Sequence, residues 1–502
     1  MDERAGAGTE LASHPQSHLQ SQLQPFDVDV ERHLPAPAAA HVSPDADLAV
    51  SATSRSAENG STSTAFLDGL RGLAAFFVFF QHCIGGFDDN VHEHGFGEGG
   101  HWHLASLPFV RILFNGGGAA VAIFFVLSGF VLSRSPLRLV RAAKTAACLW
   151  SLASAVVRRP IRLYAPTFAV TLAFAVLMHA PYHLVHELPW PQRKPDVFQE
   201  VANWVVSAYH YFNPFQTHSN EVWFDYGLVV WTIPIELKGS MLIYALAALL
   251  AAGPLSAPRS MLAWSISIVV LLQLGYWTMA CFLAGLVLSG LDVYALDASF
   301  LSRHCSQRTR TVLHHLAFVV GYYLLCQPAH GGDPDYSLNT PGWRTLTRLA
   351  PAVYGKNQYY RYWTSWGALL LVYATLRLRW LQTLLQTRPL RYLGRVSFMF
   401  YLIHLPMQYI VGDRVALMLG HVPKDAEPTW WDNRLYVPDL GPPGFNTRFL
   451  LSMAVMFPLD LVVADFLTRW LDMPCVRLGK RLTQRLGIEQ RVAVANRKAE
   501  GV

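Results

Sequence analysis

Charge is what this chain has least of: Asp, Glu, Lys and Arg make up 15% of its 502 residues, against about a quarter in ordinary soluble domains. With 52% hydrophobic residues as well, a soluble two-domain enzyme is excluded. Cysteine is rare too. Cys83, Cys148, Cys281, Cys305, Cys326 and Cys475 form no CxxC pair and no metal-ligand spacing, so neither a structural metal nor a disulfide framework is expected. No basic patch interleaved with aromatics occurs, so the net charge of +6 reports membrane orientation and not nucleic-acid binding. The chain also lacks an early basic segment followed by a short apolar core. No cleavable signal peptide is therefore expected. Residues 1–64, rich in Ser, Ala, Pro, Gln and His without apolar periodicity, read as a disordered cytosolic tail, in which the sequon at Asn59–Ser61 goes unused.

What is abundant is long apolar runs. Ten windows reach membrane-spanning length, near residues 66–86, 117–133, 161–180, 227–250, 260–275, 276–294, 312–328, 363–378, 396–412 and 447–470. The fifth and sixth are separated by little more than Gly275. The expected fold is all-α: a polytopic membrane helix bundle of about ten transmembrane helices with both termini cytosolic. Residues 65–475 would form the membrane domain and 476–502 a basic cytosolic tail.

Loop charges test this topology independently, because Lys and Arg accumulate on the cytoplasmic side. The stretch from Arg134 to Arg162 holds Arg138, Arg141, Lys144, Arg158 and Arg159 and no acidic residue. Later inside segments carry Arg303, Arg308 and Arg310, then Arg377, Arg379, Arg388, Arg391 and Arg395. The expected outside loops instead carry Asp88, Asp89, Glu93 and Glu98, then Glu187, Asp196, Glu200, Glu221 and Asp225, then Asp425, Glu427, Asp432 and Asp439. One outside loop, 329–362, disagrees, with Arg344, Arg348, Lys356 and Arg361 against Asp333 and Asp335.

The first window, FLDGLRGLAAFFVFFQHC from Phe66 to Cys83, carries Arg71 and His82 within an almost continuous apolar run. Eleven helical residues advance about 16 Å and return to within roughly 20° of the starting azimuth, so the two share one face. A charge inside a membrane segment costs several kcal/mol unless it faces the bundle interior or a wet cavity. The alternative is that Arg71 snorkels to a headgroup and His82 is a satisfied interfacial histidine. In the fourth window the chain is expected to enter from outside through VVWTIPIELKGS, so Glu236 and Lys238 fall in the outer half, after the kink expected of Pro234 and in about the layer of His82. In GRVSFMFYLIHLPMQY, His404 lies about two turns beyond Ser397.

In this order the segments resemble acyltransferase family 3, integral-membrane enzymes that move acyl groups, usually acetyl, onto hydroxyls of sugars, polysaccharides, lipids or secondary metabolites. LDGLRGLAAFFVFFQH matches the Arg-x10-His signature of the family's first helix with Arg71 and His82. AIFFVLSGFVLSRS, Ala122–Ser135, is followed by the basic RRPIRLYAP, Arg158–Pro166. WTIPIELKGSMLIY, Trp231–Tyr244, puts Glu236 at the glutamate of a tryptophan-to-glutamate motif, and LGRVSFMFYLIHLP, Leu393–Pro406, matches a late helix with serine, tyrosine and histidine. The likeness covers roughly residues 65–475. Leu237 and Lys238 follow Glu236 where relatives carry a further acidic or amide residue, and Asp472-Met473-Pro474 is a loose match to an acidic residue before proline.

The resemblance implies acyl transfer from acetyl-CoA or another acyl-CoA to a hydroxyl-bearing acceptor in a lipid bilayer. Such transfer needs a base near neutral pH, a role suited to the imidazole of His82. Glu236 would orient the ring as a carboxylate does in a hydrolase triad, or instead neutralise Lys238 or Arg71. Arg71 with Arg158, Arg159 and Arg162 would collect the phosphates of the donor, although positive-inside bookkeeping accounts for the cluster equally well. Trp231 and His404 are acceptor-site candidates, with core packing the alternative for His404. The pantetheine arm would run along the Arg71–His82 face from a cytosolic entrance to an acceptor arriving from the other side. His92, His94, His101 and His103 read as a solvated outer loop and not a metal site. Gly116–Gly118 read as a bend at a helix start, and Ser128 as a packing residue and not a nucleophile. A secondary transporter or flippase would also bury charges, but would show paired internal repeats, which are not seen.

Overall fold

The computed structural model describes residues 64–88, 91, 93–181, 184–185, 191–212, 224–253, 256–329, 333–423 and 427–500. The segment 1–63 with its sequon, His92, and the loop acids Asp89, Glu187, Glu221 and Asp425 lie outside them. Among the described residues the secondary structure is helical throughout. The principal helices are α1 (Ala65–Gly85), α2 (Gly117–Arg141), α3 (Thr145–Leu177), α4 (Val197–Phe212), α5 (Thr232–Ala252), α6 (Ala257–Gln273), α7 (Trp277–Tyr294), α8 (Gln307–Leu325), α9 (Arg361–Arg377), α10 (Arg379–Leu385), α11 (Arg388–Met407), α12 (Thr447–Leu467), α13 (Met473–Arg485) and α14 (Ile488–Glu500).

Six helical stretches are long and apolar enough to cross a membrane: α1, α2, α3, α5, α7 and the continuous run Thr447–Arg485. A seventh is added if α9 and α10, bent by 96° at Leu378, make one broken span. The other windows also form helices. Of these, α6 is apolar but spans only 17 residues, whereas α8 and α11 begin with basic residues that dilute their apolar stretches.

Small residues set which helices meet. A Cβ on Gly72 of α1 would come within 2.5 Å of the Gly394 backbone nitrogen of α11, so the two helices pack backbone to backbone. Gly129 of α2 and Gly285 of α7 face each other in the same way. Small-residue contacts of this kind are how helices associate where the hydrophobic effect gives no drive. Gly72→Ala is therefore expected to destabilise by about 1–3 kcal/mol through overpacking. Gly85→Ala is the control, because nothing lies within 4 Å of its added Cβ. Thermal unfolding of the two variants in detergent checks this.

Two expectations change and one holds. Pro234 is the third residue of α5, inside the first turn where its missing N–H has no helical partner to lose, so it starts the helix and does not kink it. The basic stretch expected as a loop up to Arg162 is mostly helix: α2 ends at Arg141 and α3 begins at Thr145, so Arg158, Arg159 and Arg162 sit in mid-helix. Gly116, between the short helix Ile112–Asn115 and α2, is the break foreseen for the triple-glycine stretch.

Outside the bundle, Glu200 at the start of α4 is wholly buried. It accepts hydrogen bonds from Tyr226 (2.5 Å), the Lys194 backbone (2.7 Å) and His179 (2.9 Å). Burial opposes its charge, but these bonds outweigh burial and hold its carboxyl below the ordinary value. His94 stacks on His101 with ring centroids 3.7 Å apart and bonds to Glu98. Among the described residues no group of His, Cys, Asp or Glu is arranged to hold a metal ion.

Candidate functional site

The Gly72–Gly394 contact fixes the first half of the site. It brings Arg71 to α11, where Nη2 donates to Ser397 Oγ at 3.1 Å and to the Gly394 carbonyl at 3.4 Å. Nη1 reaches Asp68, one turn back, at 3.3 Å. Arg71 is 5% exposed and His82 7%, so the face on which the sequence puts both side chains looks into the bundle and not out to lipid.

At the His82 end the same helix pair brings two imidazoles together. The rings of His82 and His404 lie 5.3 Å apart between centroids, tilted by 40°. Gln408 Nε2, one turn beyond His404, donates to the His82 carbonyl at 3.1 Å. His404 Nδ1 lies 2.6 Å from the Tyr401 carbonyl. A carbonyl can only accept, so Nδ1 carries the proton and Nε2 keeps its lone pair. Nε2 is buried and has no hydrogen-bond partner among the described residues. The Tyr401 hydroxyl reaches the Val229 carbonyl and Thr232 Oγ1, the latter at 3.2 Å, which ties the start of α5 to α11.

Glu236 comes one turn further along α5, on the side of Tyr401 away from His404. It is fully buried, and its Oε1 accepts from both Arg159 Nη2 and Ser128 Oγ. Arg159 Nε donates in turn to Ser240 Oγ at 2.9 Å. Glu236 also interacts electrostatically with Arg71, as does Asp472. The carboxylate therefore belongs to the charge cluster around Arg71 and Arg159, and not to the His82 layer expected for a helix that enters from outside. Its counter-ion is Arg159, neither Lys238 nor Arg71 alone. Arg162 faces Asp472 at 3.7 Å, which gives the loosely matching Asp-Met-Pro segment a place in the site.

Beyond this cluster a cavity of about 280 Å³ opens between α2, α3, α5 and α13. Arg134, Arg138, Arg158, Arg159 and Arg162 line it, with Tyr244 and Leu152, and no carboxylate does among the described residues, although Asp292 pairs with Arg134 behind the wall. Arg159 at its depth is 2% exposed, while Arg138 at its rim is open to solvent. The arrangement is a graded cationic funnel, suited to an elongated polyanion whose narrow end goes in first.

Sequence reasoning missed several buried charges, Arg361 and Asp460 among them. Arg361, counted among the loop charges that disagreed with the topology, is fully buried at the start of α9. Its guanidinium lies 4.5 Å from the Trp277 ring centroid, 4.8 Å from Tyr360 and 5.7 Å from Trp231. Cation–π contacts, about 2 kcal/mol each when desolvated, take the place of an anion. Trp231 thus packs on a buried arginine. Asp460 of α12 is also fully buried, and neither of its oxygens has a hydrogen-bond partner among the described residues. An aspartate in the apolar run FLLSMAVMFPLDLVVADFL was the signal available for it.

A family model and three relatives bear on the identity of this arrangement. A family model described as an acyltransferase domain matches residues 64–438. An O-acetyltransferase of Phomopsis amygdali is 27% identical over 464 residues, covering 84% of this chain and 85% of the relative. An acyltransferase of a Phoma species is 22% identical over 500 residues, covering 86% and 98% respectively, and an acyltransferase of Cochliobolus lunatus is 22% identical over 402 residues, covering 69% and 83%.

Proposed function

Since the chain belongs to the acyltransferase family whose domain covers residues 64–438, we propose that it is a multi-pass integral-membrane O-acyltransferase. It would take an acyl group, acetyl in the first instance, from acyl-CoA to a hydroxyl of a carbohydrate, lipid or secondary metabolite. The observation that carries this reading is the pairing of two features along α1. A carboxylate-free cavity lined by arginines lies beyond its Arg71 end, and a buried imidazole pair lies at its His82 end. The similarity to a relative named as an O-acetyltransferase supports acetyl as the group moved.

Ten crossings follow if α6, α8 and α11 join the longer helices α1, α2, α3, α5, α7, α9 and α12. An even number puts both chain ends on the side of the basic cavity, which is then cytosolic, where acyl-CoA is found. Arg138 and Arg158, with Arg159 and Arg162 deeper, bind the phosphates, and Arg71 lies further along the path. The thioester reaches the His82 layer at the far end of a face about 16 Å long.

There His82 acts as general base. Its imidazole removes the acceptor's hydroxyl proton as the oxygen attacks the thioester carbonyl carbon. The carbon–sulfur bond then breaks, and the imidazolium returns its proton to the thiolate, leaving the ester and free CoA thiol. His404, through its Nε2 lone pair, accepts the hydrogen of a substrate hydroxyl and holds the acceptor. Glu236 serves from one layer below by fixing Arg159. Trp231 shapes the outer wall through its contact with Arg361.

The test is a thiol-release assay. Purified protein is given acetyl-CoA and an extract of hydroxylated metabolites from cells that lack it. The expected result is acceptor-dependent release of thiol and a product heavier by one acetyl group. Substrate flux across proteoliposomes with no acyl donor consumed would instead establish a transporter.

A further inference from the structure

The sequence suggests that residues 476–502 are a solvated basic tail, yet α13 and α14 both lie along α3. The approach is close where it matters. A Cβ on Gly479 would touch the Cα, Cβ and Cγ atoms of Arg158 at 3.5–3.6 Å. The second helix is folded back over the first, with Thr483 Oγ1 bonded to Glu489 at 2.9 Å and the Arg491 guanidinium 4.6 Å from the Trp150 ring centroid on α3. Docked in this way, α13 closes the cationic cavity with Val476 and Lys480. Lys480 is exposed, at the rim beside the exposed Arg138, whereas Arg159 lies buried at the inner end.

We infer that the C-terminal helix pair is a wall of the donor site, and that Lys480 binds the 3′-phosphate of the CoA nucleotide. This inference rests on the acyl-CoA reading proposed above. Coenzyme A carries its thioester and its phosphates at opposite ends. If the thioester end passes the inner arginines toward Arg71, the nucleotide remains at the rim. The pyrophosphate faces the arginines of α2 and α3, and the terminal 3′-phosphate, the most solvent-exposed charge, meets the rim ammonium. A compact ammonium on a flexible stem suits a phosphate monoester as a point charge.

The experiment is calorimetric titration of the purified full-length protein with CoA and with 3′-dephospho-CoA. Wild-type protein is expected to bind CoA about tenfold more tightly, the ratio that one charge-assisted contact of about 1.4 kcal/mol gives. Lys480→Ala should weaken CoA binding to the level of dephospho-CoA and leave dephospho-CoA binding unchanged. Lys480→Arg should restore the preference. Gly479→Leu, which pushes α13 away from Arg158, should weaken both ligands. An unchanged ratio in Lys480→Ala, with CoA still bound, overturns the role of Lys480 while the donor reading stands. Failure of the wild-type protein to bind CoA at all overturns the donor reading itself. Lys480 is exposed, so its substitution leaves the fold intact, and matching unfolding temperatures verify this.

Discussion

His82→Ala is expected to lower the rate of acyl transfer by about 10²–10⁴-fold, the usual contribution of a positioned general base, while CoA binding stays at the wild-type level. The separation follows from where the two functions lie. His82 is at one end of α1, packed against His404, whereas the cationic cavity lies beyond the Arg71 end and includes neither imidazole. A variant that loses rate but keeps donor affinity therefore places the chemistry at the imidazole pair. His404→Ala should act differently, raising KM for the acceptor more than it lowers kcat, because in the proposed mechanism its Nε2 lone pair positions a hydroxyl and does not carry the proton through the reaction. Initial rates over a grid of donor and acceptor concentrations separate the two effects. Transfer by His82→Ala at the wild-type rate would remove the imidazole from the mechanism.

The second large effect concerns the buried pair of Glu236 and Arg159. Glu236→Ala deletes the carboxylate that faces a 2%-exposed guanidinium, and breaking a buried pair from one side costs about 3–5 kcal/mol. Unfolding temperature should fall sharply, with CoA binding weakened as Arg159 shifts away from Ser240. Replacing both partners, Glu236→Met with Arg159→Met, should recover most of the stability, since apolar groups of similar volume often match a buried ion pair. It should not recover donor binding, because an arginine of the cavity is gone. Stability regained without affinity marks the pair as kept for function. A single variant as stable as wild type would show that the pair has little weight in the fold.

The sequence made the outline of this site legible because its residues are expensive. An arginine and a histidine in an apolar helix stand out against the cost of burying them, and 3.6-residue geometry alone put Arg71 and His82 on one face. Both are buried. Depth across helices was harder to read, since it depends on where a helix starts. Entry of α5 from outside puts Glu236 in about the layer of His82, whereas the carboxylate lies one turn beyond Thr232 and belongs with Arg159. Loop charges misled where they are not in loops. Arg361 looked like a surface cation on the wrong side, but aromatic rings distant in sequence, Trp231 and Trp277, enclose it, and no local pattern announces such a cage. The cationic cavity was foreseen only as a cluster on one segment. Its other walls come from α2, α5 and α13, elements so far apart in sequence that no local pattern announces their contact.

The claim on which the rest depends is that the donor lies along α1, nucleotide at the basic cavity and thioester at the imidazoles. Photolabelling with an acyl-CoA that carries a diazirine at the end of its acyl chain tests it directly, and needs no knowledge of the acceptor. After irradiation and peptide mass spectrometry, the account predicts label on α1 around residues 79–85 and on α11 around residues 400–407. An azido group on the adenine should instead label residues 134–162 and 476–485. Acyl-end label confined to the basic rim, with none near His82 or His404, would contradict the account.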